Sequence, residues 1–287
     1  MLQEYAPAMD EAQVAAEVER LRSAAHRNEN KEVYKLCYST IDLTSLNSTD
    51  SESRIRTFTE KAVTFPTHFP DIPNVASICV YPSFVETVGL ALGNSDLAIT
   101  SVAGGFPSSQ TFIEVKMLEV AMAAENGADE IDVVISIGEM LTGEYDRMAS
   151  TLAVIRGELD EDVVLKVIIE SGALKTPELI RKASLLAMFA GADFVKTSTG
   201  KIDVHATPEA AVVMCTAIRD YYQKTGRKVG FKAAGGVRSA EEAALYYTIV
   251  EEILGPEWLT PKLFRIGASS LANHLISAIE GKEITYF

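Results

Sequence analysis

The sequence has little of what marks disulfide-rich, disordered or membrane-spanning proteins. It holds 3 cysteines, 10 prolines and 18 glycines in 287 residues, which argues against a disulfide scaffold, a collagen repeat and a disordered chain. It lacks the run of about 18 apolar residues that a membrane-spanning helix needs, and the N-terminus lacks the basic and apolar regions of a secretory signal. Cys37, Cys79 and Cys215 have no metal-binding spacing and suit reduced thiols, so we expect a cytoplasmic protein.

Basic residues are also in the minority. The chain has 26 Lys and Arg against 40 Asp and Glu, which gives a net charge of −14. This charge repels nucleic-acid backbones and anionic lipids, so we expect neither nucleic acid nor a membrane as a partner. If the substrate is anionic, its site must be a local group of Lys, Arg and backbone N–H groups.

Strand-like segments alternate with helical ones along the chain. Eight segments are expected as strands, at residues 34–43, 75–82, 97–104, 130–136, 163–170, 193–198, 229–236 and 264–270. Amphipathic segments such as 112–126, 177–190, 208–222 and 240–253 lie between them. Eight alternating units predict an α/β fold, a (β/α)₈ TIM barrel in a single domain. A doubly wound open sheet is the alternative, but the first strand is not followed by the glycine-rich dinucleotide fingerprint of that fold.

The N-terminal residues predict one helix outside this count. Four apolar residues recur at helical spacing, namely Val14, Val18, Leu21 and Ala25. Asp10 is the expected N-cap, with Gln13 at the third helical position. We therefore expect residues 1–30 to form an extension with one helix, and residues 31–287 to form the barrel with a C-terminal tail. The helix is expected to cover the floor of the barrel or, alternatively, to contact a second subunit.

Charged side chains occur inside four consecutive predicted strands, where both faces are normally apolar. They are Asp132, Lys166, Lys196 and Lys232. A buried ion-pair cluster is one interpretation, although three lysines and one aspartate do not cancel in charge. The other is a nucleophilic lysine, because an amine attacks a carbonyl only when neutral and a neighbouring ammonium lowers its pKa. Lys196 and Lys232 on adjacent strands could form such a pair, and Asp132 could either transfer protons or hold a lysine in place.

Small and hydroxyl-bearing residues follow the last three predicted strands. They are Thr199, Gly200 and Lys201 after strand 6, Gly235 and Gly236 after strand 7, and Gly267, Ser269 and Ser270 at the end of strand 8. Barrels that bind phosphorylated substrates commonly hold the phosphate at the loops after strands 7 and 8. These clusters predict a site for a phosphate or a similar oxyanion.

Five segments together resemble the deoxyribose-phosphate aldolase family. They are Asp-Phe-Val-Lys-Thr-Ser-Thr-Gly at 193–200, Gly-Phe-Lys-Ala-Ala-Gly-Gly-Val-Arg at 230–238, Glu-Ile-Asp-Val-Val at 130–134, Leu-Lys-Val-Ile-Ile-Glu at 165–170 and Arg-Ile-Gly-Ala-Ser-Ser at 265–270. The resemblance runs from residue 41 to residue 278. It implies a class I aldolase, independent of metals and cofactors, that interconverts 2-deoxy-D-ribose 5-phosphate with acetaldehyde and D-glyceraldehyde 3-phosphate through a lysine Schiff base.

The resemblance also implies roles for individual residues. Lys196 corresponds to the Schiff-base lysine, Lys232 to the activating lysine and Asp132 to the proton-relay aspartate. The implied substrate contacts are Asp42, Thr44, Lys166, Thr199, Gly200, Lys201, Gly235, Gly236, Gly267, Ser269 and Ser270. Family members can have a mobile tail ending in a tyrosine that assists proton transfer, and Tyr286 is the candidate here, although it is the penultimate residue.

Two other hypotheses stay open. A metal-dependent aldolase or epimerase on the same fold would need histidine and carboxylate ligands grouped at strand ends. The four histidines, His26, His68, His205 and His274, lie outside the predicted strands, so we expect no metal. A non-catalytic phosphosugar-binding barrel would keep the anion loops but would not need a neutral lysine. A homo-oligomer is compatible with all three hypotheses.

Overall fold

The computed structural model describes residues 5 and 7–287. Within it, parallel strands form a closed barrel in which β1 pairs with β8 as well as with β2. The strands are β1 (Ile41–Thr44), β2 (Ser77–Val80), β3 (Ala98–Ala103), β4 (Glu130–Val134), β5 (Val164–Ile168), β6 (Phe194–Lys196), β7 (Gly230–Ala234) and β8 (Phe264–Ala268). The barrel prediction is confirmed, and closure between β1 and β8 excludes the open sheet.

Helices surround this barrel in the described part of the chain. They are α1 (Glu11–Ala25), α2 (Lys31–Ser39), α3 (Glu52–His68), α4 (Val85–Leu92), α5 (Ile113–Glu125), α6 (Ile137–Thr142), α7 (Tyr145–Gly157), α8 (Ser171–Leu174), α9 (Pro177–Phe189), α10 (Pro208–Thr225), α11 (Ala240–Leu254) and α12 (Leu271–Glu280). Short 3₁₀ turns lie at His26–Asn28, Pro82–Phe84 and Pro256–Trp258. The four amphipathic segments predicted between strands correspond to α5, α9, α10 and α11. Across residues 5 and 7–287, no helix is both long enough and apolar enough to cross a membrane.

The strands have two kinds of face, as a barrel requires. In β4 and β5 the residues Ile131, Val133 and Val167 belong to the hydrophobic core between the strands and the helices. Asp132 and Lys166, which are direct partners across the two strands, alternate with them and turn into the barrel. The alternation with period two therefore fills the inside of the barrel with charge at this level and its outside with apolar side chains.

The prediction of a strand from residue 34 to residue 43 is wrong over its first part. Residues 31–39 form helix α2, in which the Val33 N–H donates to the capping side chain of Asn30. The buried residues Tyr34, Cys37 and Tyr38 occupy one helical face. Tyrosine is common in strands, so this short apolar segment is typical of a strand as well as of a helix. The strand is confined to Ile41–Thr44 and follows the helix directly.

Helix α1 begins where the sequence predicts. Asp10 caps the backbone of Gln13, and the Gln13 side chain accepts from the Asp10 N–H. The helix packs against the outer helices α10 and α11, and the expectation that it covers the barrel floor stays a prediction. Arg27 adds ion pairs to Glu251 and Glu252 of α11. The division of the chain at residue 30 stays a prediction, and residues 1–4 and 6 of the extension lie outside the described residues.

Candidate active site

Charged side chains from six strands meet inside the barrel. Three carboxylates and four cations take part, namely Asp42, Glu130 and Asp132 with Lys166, Lys196, Lys232 and Arg265. All seven are buried. Because charges inside a protein need partners, a cluster in which every member contacts an opposite charge is the arrangement expected to persist.

Asp132 is the centre of the network. Its Oδ2 atom accepts from Lys196 Nζ at 2.6 Å and from Lys232 Nζ at 2.7 Å. Its other oxygen accepts from Lys166 Nζ at 3.1 Å. Lys196 and Lys232 are direct partners in the register between β6 and β7, so the two amines are neighbours held by one carboxylate oxygen.

A second layer of charge supports this centre. Asp42 contacts Lys232 and Arg265, and it also accepts from Ser77 Oγ at 2.8 Å. Glu130 accepts from Lys166 Nζ at 2.6 Å and from Arg265 at 2.6 Å. Each oxygen of these two carboxylates contacts a cation of the network, so their chemical effect on the site is to hold the lysines in place.

The environment separates the pKa values of the two neighbouring lysines. Burial lowers the pKa of Lys196 below its usual value; Asp132 opposes this, and Lys232 adds to the lowering. Burial acts in the same direction on Lys232, but the carboxylates of Asp132 and Asp42 outweigh it and raise the pKa of that lysine. The neighbouring ammonium is thus a contributor to the lowered pKa of Lys196, whereas desolvation has the larger effect.

The charge count of the network fits this separation. With all four cations charged, the network carries one positive charge more than its three carboxylates. Loss of the proton from Lys196 makes the network neutral, and burial favours the neutral state of an ion cluster.

A cavity of about 890 Å³ opens above the network at the carboxyl ends of the strands. Of the seven network side chains, Lys196 is the one that lines it. Its other cationic lining residues are Arg54, Lys61, Lys201 and Arg238, and none of the described lining residues is Asp or Glu. In a chain with a net charge of −14, such a cavity favours an anionic ligand.

The loops after β7 and β8 expose backbone to this cavity. Gly235 and Gly236 have φ values of 73° and 81°, a conformation that glycine adopts without strain. A Cβ atom at Gly235 would also lie 3.1 Å from the His205 side chain. Among the described residues, no side chain caps the start of α12 after Ser270, so its first N–H groups are available to an anion.

Comparison with known families agrees with this geometry. Residues 37–258 match the model of the DeoC/LacD family of aldolases. The chain belongs to the DeoC/LacD aldolase family. The human deoxyribose-phosphate aldolase is 42% identical over 247 residues, which cover 82% of this chain and 77% of the relative. The deoxyribose-phosphate aldolase of Agrobacterium fabrum is 38% identical over 253 residues, which cover 88% of this chain and 94% of the relative.

Solved structures match the fold of this DeoC/LacD aldolase. The aldolase QR15 is 28% identical with a TM-score of 0.67, and the match covers 84% of this chain and 96% of that one. The deoxyribose phosphate aldolase of Aeropyrum pernix, described as a unique tetrameric structure, is 24% identical with a TM-score of 0.68. That match covers 90% of this chain and 96% of the Aeropyrum chain, and it shows the fold alone.

Most of the residues that the sequence predicts for substrate binding line the cavity of this DeoC/LacD family member. They are Thr44, Thr199, Gly200, Lys201, Gly235, Gly236, Gly267, Ser269 and Ser270. Thr199 has a second function, because its hydroxyl donates to the buried Glu170 carboxylate at 2.5 Å and accepts from Lys201 N–H at 3.1 Å. Lys201 Nζ in turn donates to the Leu46 carbonyl across the mouth, which ties the loop after β6 to the loop after β1.

Two predicted substrate contacts lie elsewhere. Asp42 and Lys166 are fully buried and do not line the cavity of this aldolase. Their oxygens and amine are occupied by the other network members described above. The structure therefore gives them the position of supports for Lys196 and Lys232, and their contact with a substrate stays a prediction.

Tyr286 is also away from the cavity. Its hydroxyl donates to the Lys61 carbonyl at 2.9 Å, and its ring packs edge-on against Phe65 and Phe69 of α3. Asn273 holds the tail by accepting from the N–H groups of Tyr286 and Phe287 at 2.9 and 3.0 Å. In this conformation Phe287 lines the cavity, and Tyr286 is not positioned to exchange a proton there.

Several residues of the site are missed by the sequence argument. Glu130 and Arg265 lie inside β4 and β8, so the rule that singles out charges within strands applies to them too. Arg54 and Lys61 of α3 reach the cavity from a helix, where a basic residue gives no signal in the sequence. In the described chain, no group of three or more His, Cys, Asp or Glu side chains is arranged to hold a metal ion.

Proposed function

We propose that the protein is a class I aldolase that reversibly cleaves 2-deoxy-D-ribose 5-phosphate to acetaldehyde and D-glyceraldehyde 3-phosphate. The carrying observation is Lys196, the network amine that both lines the cavity and has a lowered pKa. An amine whose pKa is lowered gives up its proton more readily, and at the floor of an anion-attracting cavity it is suited to attack the carbonyl of an anionic aldehyde sugar.

The phosphate of the substrate is proposed to bind away from Lys196. The support is the backbone of Gly235 and Gly236, the hydroxyls of Ser269 and Ser270 and the first turn of α12, all of which border the same cavity. The binding energy of a phosphate held there can orient the rest of the sugar over Lys196.

The proposed reaction begins with the neutral amine of Lys196. Its nitrogen attacks C1 of the open-chain sugar, the carbonyl bond opens, and loss of water leaves a protonated imine. Removal of the proton from the 3-hydroxyl then breaks the C2–C3 bond. The electron pair moves into the imine to give an enamine, and D-glyceraldehyde 3-phosphate leaves. Protonation of C2 and attack of water on the imine release acetaldehyde and restore the amine.

Asp132 is proposed to serve this sequence as an ionised carboxylate. Burial acts to raise its pKa, but Lys166, Lys196 and Lys232 outweigh burial and lower it. A carboxylate with a low pKa does not keep a proton, so we propose that Asp132 passes protons between Lys196 and water while holding both lysines in position.

The test is cleavage of 2-deoxyribose 5-phosphate, followed by reduction of the released acetaldehyde with NADH and alcohol dehydrogenase. The wild type is expected to be active and Lys196→Arg to fall to background, because arginine keeps the charge but is not a nucleophile. Lys31→Arg, a change at an exposed position on α2, is the matched control and should retain full activity. Activity in Lys196→Arg would contradict the proposal.

The two alternative functions predict different outcomes in the same assay. A metal-dependent aldolase or epimerase loses activity on treatment with EDTA and recovers it with Zn²⁺, whereas the lysine mechanism is unaffected. A non-catalytic phosphosugar-binding barrel binds the sugar phosphate without releasing acetaldehyde.

Location and assembly are part of the proposal. Cys37, Cys79 and Cys215 are free thiols buried in the fold, which supports a reducing, cytoplasmic location. The Aeropyrum pernix relative is described as tetrameric, which supports a homo-oligomer here. Sedimentation equilibrium would reject self-association if the mass stayed at that of one chain at every concentration.

A further inference from the structure

A second cavity lies outside the candidate active site, beside α5, α6 and α7. Its volume is about 450 Å³, and Lys116, Glu139, Arg147 and Thr151 are among its lining residues. Lys116 belongs to α5 and is only 5% exposed. This lysine has no part in the ion network around Lys196.

Lys116 is buried without a neutralising partner in the described part of the chain. Its Nζ donates to Ser109 Oγ at 2.8 Å, and no described carboxylate lies within the 4.0 Å of an ion pair. An unpaired ammonium at such a position is unfavourable. Burial accordingly lowers the pKa of Lys116, while the more distant Glu139 opposes the effect.

Glu139 supplies an acceptor in the same cavity. One carboxylate oxygen contacts Arg147 Nε at 3.0 Å, whereas Oε2 is buried without a hydrogen-bond partner among the described residues. Arg147 and Glu114 are the other charged residues that line the cavity. A buried amine and a carboxylate oxygen with unused hydrogen-bonding capacity therefore border one small space without touching each other.

We propose that Lys116 is a second carbonyl-reactive lysine, which forms an imine with small aldehydes that enter this cavity, with Glu139 as the proton carrier. The neutral nitrogen bonds to the aldehyde carbon as the carbonyl bond opens. Glu139 Oε2 takes one of the two nitrogen protons and delivers it to the alkoxide oxygen. It then carries the second nitrogen proton to the resulting hydroxyl, which leaves as water as the C=N bond forms, so amine and aldehyde give imine and water. No electron is transferred to another reagent.

The lining selects the class of aldehyde. Phe112, Ile113 and Val154 provide apolar surface for a short alkyl chain. Glu114 and Glu139 are matched in number by Lys116 and Arg147, so the lining has no surplus of positive charge to attract a phosphorylated compound. Acetaldehyde and its near homologues fit these conditions. The inference goes beyond the proposed function, because the site is separate and needs only an aldehyde, from whatever source.

The test is reductive labelling of the full chain with limiting acetaldehyde and cyanoborohydride near neutral pH, followed by peptide mass mapping. Lys196→Arg is labelled alongside the wild type, so that Lys116 can be followed without the candidate active-site imine. Lys31 and Lys282 are exposed and serve as internal references. Lys116 is expected to be labelled several-fold faster than either in both proteins. Labelling of Lys116 at or below the rate of the exposed lysines would overturn the proposal.

Two further variants test the chemistry at this site. Glu139→Gln removes the proton acceptor while keeping the shape, and it should slow labelling of Lys116 but not of Lys31. Equal labelling of Lys116 in this variant and the wild type would contradict the role given to Glu139. Lys116→Arg should lose this adduct alone, and retention of the adduct on its peptide would contradict the assignment. Failure of any of these tests would leave the cleavage assay of the proposed function unaffected, because that assay depends on Lys196.

Discussion

Replacement of Lys232 by methionine tests how the proposed nucleophile is kept neutral. Lys196 and Lys232 bind the same Asp132 oxygen at 2.6 and 2.7 Å. Two unit charges about 5 Å apart repel by about 3 kcal/mol at an effective dielectric constant near 20, which corresponds to a change of roughly a hundredfold in the population of neutral amine. Without Lys232, Asp132 interacts with Lys196 and Lys166 alone and stabilises their charges more strongly. The loss of repulsion and this stronger attraction both raise the pKa of Lys196.

The expected result is a pH-dependent defect. In Lys232→Met, kcat/KM should fall by up to about a hundredfold near neutral pH and recover in part as the pH rises and Lys196 loses its proton. The measurement is the acetaldehyde-release assay from about pH 6 to about pH 10, a range that spans the ordinary lysine region. A variant whose pH profile has the same shape as that of the wild type would refute the argument.

Lys166→Met is the matched control. Lys166 also binds Asp132, at 3.1 Å, but it lies on β5 and contacts the opposite oxygen from Lys196. Each substitution removes one cation from the network and should cost about 3–5 kcal/mol of unfolding free energy, which urea denaturation measures. Lys166→Met should show a much smaller alkaline recovery than Lys232→Met, and an equal recovery would contradict a specific effect of Lys232 on Lys196.

Three further perturbations test other parts of the account. Ser269→Asp puts a carboxylate into a cavity whose described lining has no Asp or Glu, so it should raise KM for the phosphorylated sugar while changing cleavage of unphosphorylated deoxyribose little; equal loss with both sugars would contradict the anion site. Gly267→Ala adds a Cβ atom 3.2 Å from Lys232 Cε and should lower kcat more than it raises KM, so a wild-type kcat would contradict the close fit. Burial opposes ionisation of the three network carboxylates, but their cations outweigh it and lower all three pKa values; stability from the network is therefore full above the unfolded-state pKa near 4 and is lost as the pH falls through the folded values. If the urea concentration at half-unfolding did not decrease as the pH was lowered below about 4, this last prediction would be contradicted.

The fold and much of the site are predictable from local pattern. Asp132, Lys166, Lys196 and Lys232 each have apolar neighbours within their strands. Because those neighbours pack against the helices, a charged side chain that alternates with them is expected to point into the barrel interior. The glycine and serine clusters follow the last strands, where chain order alone brings them to one end of the barrel. Both inferences use only residues that are close together in the sequence, so they can be made without the structure.

The remaining features depend on contacts between distant residues. The sequence does not show that the Lys166 side chain binds Asp132 within the network and stays out of the cavity. This orientation depends on the ion pair that Lys166 forms with Glu130. It does not reveal that Asn273 fixes the tail with Tyr286 turned toward α3. The error at residues 34–39 has a local cause, since buried aromatic residues suit one face of a helix as well as a strand.

The most direct test of the central claim is reductive trapping with the phosphorylated sugar itself. The full chain is mixed briefly with stoichiometric 2-deoxyribose 5-phosphate and borohydride, and the adduct is located by intact mass and peptide mapping, with and without inorganic phosphate as a competitor. We expect a covalent adduct on Lys196, with labelling reduced by phosphate because the anion loops border the same cavity. An adduct on Lys232, or the absence of any adduct on Lys196, would contradict the account.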